Sequence, residues 1–211
     1  MTTPDASLVS LISQAGPRVA ETPVSSLFLS RWSSRAMTGE PIPDSVLFAL
    51  FEAARYAPSS YNSQPWRFAF AKAGSEDFSR FVGALSESNQ GWAKQASALV
   101  LIASKAVFTP PGQSAEIVSG AASFDAGAAW ASLAFQAALL GWTTRAMGGF
   151  DQARARIATG APECLKLEAM IAIGKRGDAA LLPPDKQPLE KPNARKAIGD
   201  IVFAGAFPGD I

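Results

Sequence analysis

From Ala126 to Trp142 the chain is almost wholly apolar; this stretch follows Asp125 and contains Gln136. It falls short of the roughly 20 residues needed to cross a bilayer, so a buried helix is expected and not a membrane span. Gly120, Ala121, Ala122, Ala126, Gly127, Ala128, Ala129 and Ala131 are small enough to let another backbone or a flat ligand approach closely, and Gly141 is placed to end the helix. Such a helix suits the centre of a dimer.

Other elements follow from periodicity. A helix is expected to start with Asp44 as its cap after Pro43, to carry Leu47, Leu50, Phe51 and Ala54 on one face, and to stop ahead of Pro58. Arg67 to Lys72 reads as a strand, and Ala98 to Ala103 as a buried one. Ser75 to Leu85 reads as a helix with Phe78, Phe81, Val82 and Leu85 inward. Asp151 to Ala158 reads as a helix, Ala169 to Ile173 as a strand, and Ile198 to Phe203 as one more strand. Pro183, Pro184, Pro188 and Pro192 make Leu181 to Pro192 an extended arm outside the core. Helices alternating with strands predict one α+β sandwich, with helices around a small mixed sheet. We divide it into an N-terminal helical segment, 1–29, weakly amphipathic up to about Ser26, and a single domain, 30–211, that includes the Pro-rich arm.

Composition removes several function classes. The net charge is +1, from 19 basic and 18 acidic residues, so no field favours nucleic acid or anionic lipid, and neither nucleic acid nor membrane is expected as a partner. With no histidine, Ser/His/Asp and Cys/His catalysis and most zinc and iron sites are out of reach, and no metal is expected. The single Cys164 forbids intramolecular disulfides and CxxC chemistry, and is expected to be a small buried apolar residue. Met1 to Ser10 lack the positive start and apolar core of a secretory signal, which leaves the cytoplasm as the expected compartment. Only 18% of residues are charged and mean hydropathy is +0.11, so a partner is expected to cover some apolar surface.

Three stretches carry possible chemistry. Arg31-Trp32-Ser33-Ser34-Arg35 sets two guanidinium forks and two hydroxyls within five residues, the donors a phosphate takes; alone it reads first as an ordinary solvated surface segment. Ala57-Pro58-Ser59-Ser60-Tyr61-Asn62-Ser63-Gln64-Pro65-Trp66 offers amides and hydroxyls from a backbone stiffened by prolines, fit for the edge of a heterocycle or simply for a turn. Arg145-Ala146-Met147-Gly148-Gly149-Phe150-Asp151 bares backbone amides ahead of a helix, where a flat ring can approach, or is a plain loop. Asn89-Gln90-Gly91-Trp92 and Arg195 are weaker signals.

Taken in this order, the stretches resemble the nitroreductase family of flavoproteins, over roughly Ser30 to Phe203, and the Ala57–Trp66 segment is the most specific part. The resemblance implies a nitroreductase-like α+β fold, with a small mixed or antiparallel sheet flanked by helices, in an intertwined homodimer that holds FMN at the subunit interface. It implies that Arg31 and Arg195 hold the FMN phosphate with Trp32 and Ser33 nearby, and that Arg35 reaches toward the ribityl chain or pyrimidine edge. Pro58, Ser59, Ser60 and Asn62 match the stretch that approaches the flavin from the other subunit. Asn89 matches a residue on the pyrimidine side, and Met147, Gly148 and Gly149 match the segment beside the reactive N5 edge. The chain departs from well-studied members at Gly148, where they carry an acidic residue, and at Trp92, near where they carry a lysine.

The implied activity is transfer of two electrons from NAD(P)H to a nitroaromatic, quinone or similar electron-poor small molecule by a ping-pong route. There is no GxGxxG after a strand and so no separate dinucleotide domain. The alternatives are an FMN-dependent dehydrogenase or flavin-consuming enzyme of the same family, and a flavin-binding module without turnover.

Overall fold

The structure is a computed structural model and describes residues 18–209. The expected N-terminal helix lies mostly outside those residues; within them the chain runs without regular structure to a short helix, α1, Ser26–Ser30. Next come α2 (Asp44–Arg55), a 3-10 turn at Ser60–Asn62, β1 (Trp66–Lys72), α3 (Glu76–Ala84), α4 (Glu87–Ala93) and β2 (Ala98–Lys105). The second half holds a small hairpin, β3 (Val107–Phe108) and β4 (Ile117–Val118), then α5 (Ala122–Leu139), β5 (Thr143–Met147), α6 (Gln152–Thr159) and β6 (Leu165–Gly174).

The main sheet runs β1-β2-β6-β5, and every pairing is antiparallel. Of its two inner strands, β2 is buried on both faces, which is why Ala98 to Ala103 reads as an unbroken apolar run. Leu99, Leu101 and Ala103 face one helical layer with Phe78, Phe81 and Trp92 of α3 and α4. Ala98, Val100 and Ile102 face the other, with Leu47, Leu50, Ala126, Ala129 and Leu133 of α2 and α5. The period of two along β2 therefore fixes three layers.

Ala126, Ala129, Leu133 and Ala137 of α5 are buried along one face in this second layer, while Gly127 is exposed and Ala128 and Ala131 are half-buried. Gly141, with φ 71°, ends the helix: its N–H bonds to Ala138 O at 3.1 Å while the Trp142 N–H bonds to Ala137 O at 2.8 Å. The helix begins at Ala122, and Asp125 in its first turn is buried and accepts the Ser60 N–H. No helix among the described residues is long and apolar enough to cross a membrane.

Some expectations are corrected. The cap of α2 is Pro43, with Asp44 the first helical residue, paired at 2.7 Å with Lys72. Ile198 to Phe203 form no strand: Ile198–Asp200 is a 3-10 turn whose Ala197 N–H is taken by the Asp200 carboxylate at 3.2 Å, a local bond that replaces a ladder. The proline-rich arm is less extended than expected, with 3-10 turns at Ala179–Leu181 and Gln187–Leu189, and it buries Leu182 against the first core cluster. Cys164 is exposed, since it falls in the turn between α6 and β6 and not on a core face. The N-cap of α3 is Ser75, whose hydroxyl accepts the Phe78 N–H at 3.2 Å; Ser75→Ala is expected to cost about 1 kcal/mol in a urea unfolding curve.

Candidate functional site: a cationic cavity between the Arg31 turn and the C-terminal arm

Helix α1 stops at Arg31, whose backbone is extended (φ −69°, ψ 125°), and the next residues lie across the molecule instead of projecting from it. Ser34 is fully buried. The Ser33 carbonyl accepts a bond of 2.5 Å from Arg145 Nη1, on β5. Glu190, from the C-terminal arm, accepts the Arg35 and Ala36 N–H groups, each at 2.9 Å through Oε1. The turn is thus pinned from two sides by side chains far away in sequence.

A cavity of about 210 Å³ opens beside it, lined by Arg31, Trp32, Ser33 and Arg35 together with Arg145, Lys191, Asn193, Arg195 and Arg18. The structure therefore brings together five of the sequence-derived site residues, Arg31, Trp32, Ser33, Arg35 and Arg195. It adds Arg18, Arg145 and Lys191, which the reading of motifs did not assign. No local pattern marks them; Arg145 stood inside a quoted motif only for its glycines.

The electrostatics are those of an anion site. Burial lowers the Arg31 pKa from its usual value, and Arg195 lowers it further. Burial likewise lowers that of Arg145, with Arg35 adding to the effect and Glu190 opposing it. Arg18 is lowered by burial, then Arg195, then Arg31. All remain cationic at neutral pH. Guanidinium groups partly stripped of water beside like charges are a cost of folding that a bound dianion offsets.

Further along, Asn89 and Gly149 meet: Asn89 Nδ2 donates to Gly149 O at 2.9 Å, and the Ser86 N–H donates to the same oxygen at 3.0 Å. Gly148 and Gly149 are exposed, whereas the Met147 side chain is buried in the core, so what Met147 offers a ligand is backbone. Trp92 is buried too, with the Arg145 guanidinium 5.8 Å from its ring centre. The position near which the resemblance expects a lysine is thus a core tryptophan beneath an arginine.

Pro58, Ser59, Ser60 and Asn62 do not line the cationic cavity of their own chain. Their loop is held in an uncommon shape, with Tyr61, Asn62 and Gln64 all at left-handed φ of 53°, 52° and 47°. Buried Asp125 accepts the Ser60 N–H at 3.1 Å and the Ser59 hydroxyl accepts the Gln64 N–H at 3.0 Å, which fix that shape. Ser63 Oγ is buried without a hydrogen-bond partner.

A cavity lined by Arg18, Arg31, Arg35, Arg145, Lys191 and Arg195, with Trp32 among them, suits a phosphate-bearing ligand. Comparison with known proteins agrees. The family model described as the nitroreductase family matches residues 29–81. A crystal structure described as an oxidoreductase containing FMN is 43% identical, over 93% of this chain and 98% of that one, with a TM-score of 0.88. A Burkholderia lata protein named "Putative NADH dehydrogenase/NAD(P)H nitroreductase" is 26% identical over 78% of this chain and 91% of its own. A Desulfovibrio desulfuricans protein solved in complex with FMN shares the fold at a TM-score of 0.68 and 21% identity, over 90% of this chain and the whole of that one. The family match spans both the arginine turn and the Ala57–Trp66 loop, and the 43% identity extends over nearly the entire chain: the protein belongs to the nitroreductase family.

Proposed function

We propose that the chain is an FMN-dependent oxidoreductase that carries two electrons from NAD(P)H to a nitroaromatic, quinone or similar electron-poor acceptor by a ping-pong route. In this reading it works as a cytoplasmic homodimer with FMN at the subunit interface, and residues 30–211 act as a single domain. The observation that carries the proposal is the cavity where Arg31, Arg35, Arg145 and Arg195 converge, with no carboxylate among the described residues of its lining and the neighbouring Glu190 turned onto backbone amides.

FMN when bound supplies hydride chemistry, which explains how a chain without histidine can act as a redox enzyme. The protein's part is to bind and orient. Arg31 and Arg195 take the phosphate with Ser33 and Trp32 beside it, and Arg35 takes the ribityl or pyrimidine side with Asn89. The backbone from Met147 to Gly149 lines the reactive edge. Pro58, Ser59, Ser60 and Asn62 serve the partner's site, a role their pinned, left-handed loop favours because such a loop presents its donors already oriented.

Exposed apolar groups close to that loop support the dimer: Phe124 is 81% exposed, Val118 is 75% exposed, and the exposed Tyr61 ring lies tilted beside that of Phe108, 6.0 Å between centres. Light scattering should give a dimer, whose interface is expected to bury on the order of 2,000 Å² or more. Purified protein should be yellow with about one FMN per chain, and anaerobic NADPH should bleach it. Initial rates against a quinone should give parallel lines, since one flavin face serves both substrates in turn. Colourless protein that stays colourless with added FMN would overturn the proposal, and intersecting lines would overturn the ping-pong route.

A further inference from the structure

We propose that Glu190 is a positioning residue that makes one phosphate clamp out of two distant chain segments, so that binding of a flavin phosphate and docking of the C-terminal arm are a single event. The inference rests on the FMN reading above.

Glu190 is a carboxylate beside a cavity built of guanidinium groups, where a bare anion would compete with a phosphate. The geometry removes that competition. Its Oε1 accepts the Ser34 hydroxyl at 2.5 Å, the Arg35 N–H at 2.9 Å and the Ala36 N–H at 2.9 Å, and Oε2 accepts the Arg35 N–H at 3.1 Å. The charge is spent on the backbone of the arginine turn, and the cations are left for a ligand. Arg145 holds the same turn from the opposite side through the Ser33 carbonyl.

The arm gains as much from the contact as the turn does. Lys191 follows Glu190 directly, and Asn193 and Arg195 lie a few residues on, all facing the cavity. From Glu190 to Gly209 the arm has no regular structure apart from the turn at Ile198–Asp200, and its residues 191–202 are mostly exposed, so few internal contacts fix it. A tie to the arm's base at Glu190 and a phosphate bridging Arg31 to Arg195 would each order the same segment, which couples them.

Glutamine is a poor substitute for this carboxylate: its oxygen in the Oε1 place can still accept from Ser34, Arg35 and Ala36, but the charge that strengthens those bonds is lost and its amide nitrogen, a donor, would face the Arg35 N–H that Oε2 accepts. Aspartate keeps the acceptor but is one methylene short. The distinguishing readout is the ratio of FMN to riboflavin affinity, because riboflavin has the same ring and no phosphate. Fluorescence titration of Glu190→Gln should show FMN affinity about tenfold weaker, a fall corresponding to one lost charge-assisted bond, with riboflavin affinity falling clearly less because only Arg35 of the turn serves the part of the ligand that riboflavin shares, and Glu190→Asp should recover part of it. In wild type, FMN but not riboflavin should slow tryptic cleavage after Arg195 and Lys196, a test that needs no variant. An unchanged FMN to riboflavin ratio in Glu190→Gln, an equal loss for both flavins, or tryptic cleavage indifferent to FMN would overturn the proposal. Wild-type protein that binds neither flavin would instead overturn the FMN reading, and the proposal with it.

Discussion

Reduction of bound FMN by NADPH is expected to slow about a hundredfold in Gly149→Val, the scale of a displaced donor at a reacting centre. FMN affinity is expected to change by less than about threefold, under 1 kcal/mol. A Cβ on Gly149 would stand 2.9 Å from Asn89 Nδ2 and 3.0 Å from Ser86 Oγ, closer than such atoms approach. Asn89 moves only by giving up its bond to Gly149 O, and the Ser86 backbone, bonded to the same oxygen, keeps its side chain close. The side chain must push Asn89 aside or tilt the Gly149 peptide, and either movement re-aims the groups assigned to the ring. The arginines of the phosphate end lie in another part of the site and should keep their grip. Gly148→Ala is the control: a Cβ there meets nothing within 4 Å, so reduction should stay near the wild-type rate. Anaerobic stopped-flow absorbance gives the rate and fluorescence quenching the affinity. A wild-type rate in Gly149→Val with FMN bound would place the reactive edge elsewhere.

Arg31→Ala should weaken FMN binding by roughly 1.5 to 3 kcal/mol, about 10- to 150-fold, through loss of a charge-assisted bond to phosphate. Arg31 is the cation for which the case is strongest: it is half-buried, and both burial and Arg195 lower its pKa. Its removal relieves like-charge repulsion in the free protein, so the unliganded melting temperature should hold or rise while the increase caused by FMN shrinks. The Arg31 carbonyl accepts a bond of 2.8 Å from Arg18 Nη1, and this bond survives a side-chain change, so loss of binding cannot be put down to an unfolded turn. Arg31→Lys should fall between, keeping the charge and losing the fork. Isothermal titration against the flavin-free protein measures each variant. Equal FMN affinity in Arg31→Ala and wild type would move the phosphate away from this cavity.

Elements whose stability comes from a continuous apolar face were legible in the chain itself. The run Ala98 to Ala103 became an inner strand, and Leu47, Leu50 and Ala54 became the buried stripe of α2. By contrast β5 was hidden, because Thr143–Met147 has no apolar alternation and becomes a strand only by pairing with β6, Arg145 opposite Ala172. Helix α4 was hidden too: Glu87–Ala93 is mostly polar and buries only Trp92 and Ala93. The strand expected at Ile198 to Phe203 failed for the opposite reason. Its residues favour a strand, but local bonds within the 3-10 turn take the backbone groups that a sheet edge would have needed.

The site divides in the same way. Arg31, Ser33 and Arg35 stand within one short segment, so their shared role shows in the spacing, and the Ala57–Trp66 loop is long and unusual enough to carry a resemblance. Arg18, Arg145, Lys191 and Glu190 are single polar residues in unremarkable surroundings, and nothing next to them in the chain sets them apart. What gathers them is the tertiary fold. The sheet carries Arg145 to the back of the arginine turn, and the C-terminal arm crosses 155 residues of sequence to lay Glu190 on Arg35. Sequence alone determined which segments could bury an apolar face and which local cluster could grip an anion, because both depend on neighbours along the chain. The tertiary structure decided how many cations surround that anion and which carboxylate holds the turn, because electrostatics and hydrogen bonds act through space without regard to chain distance.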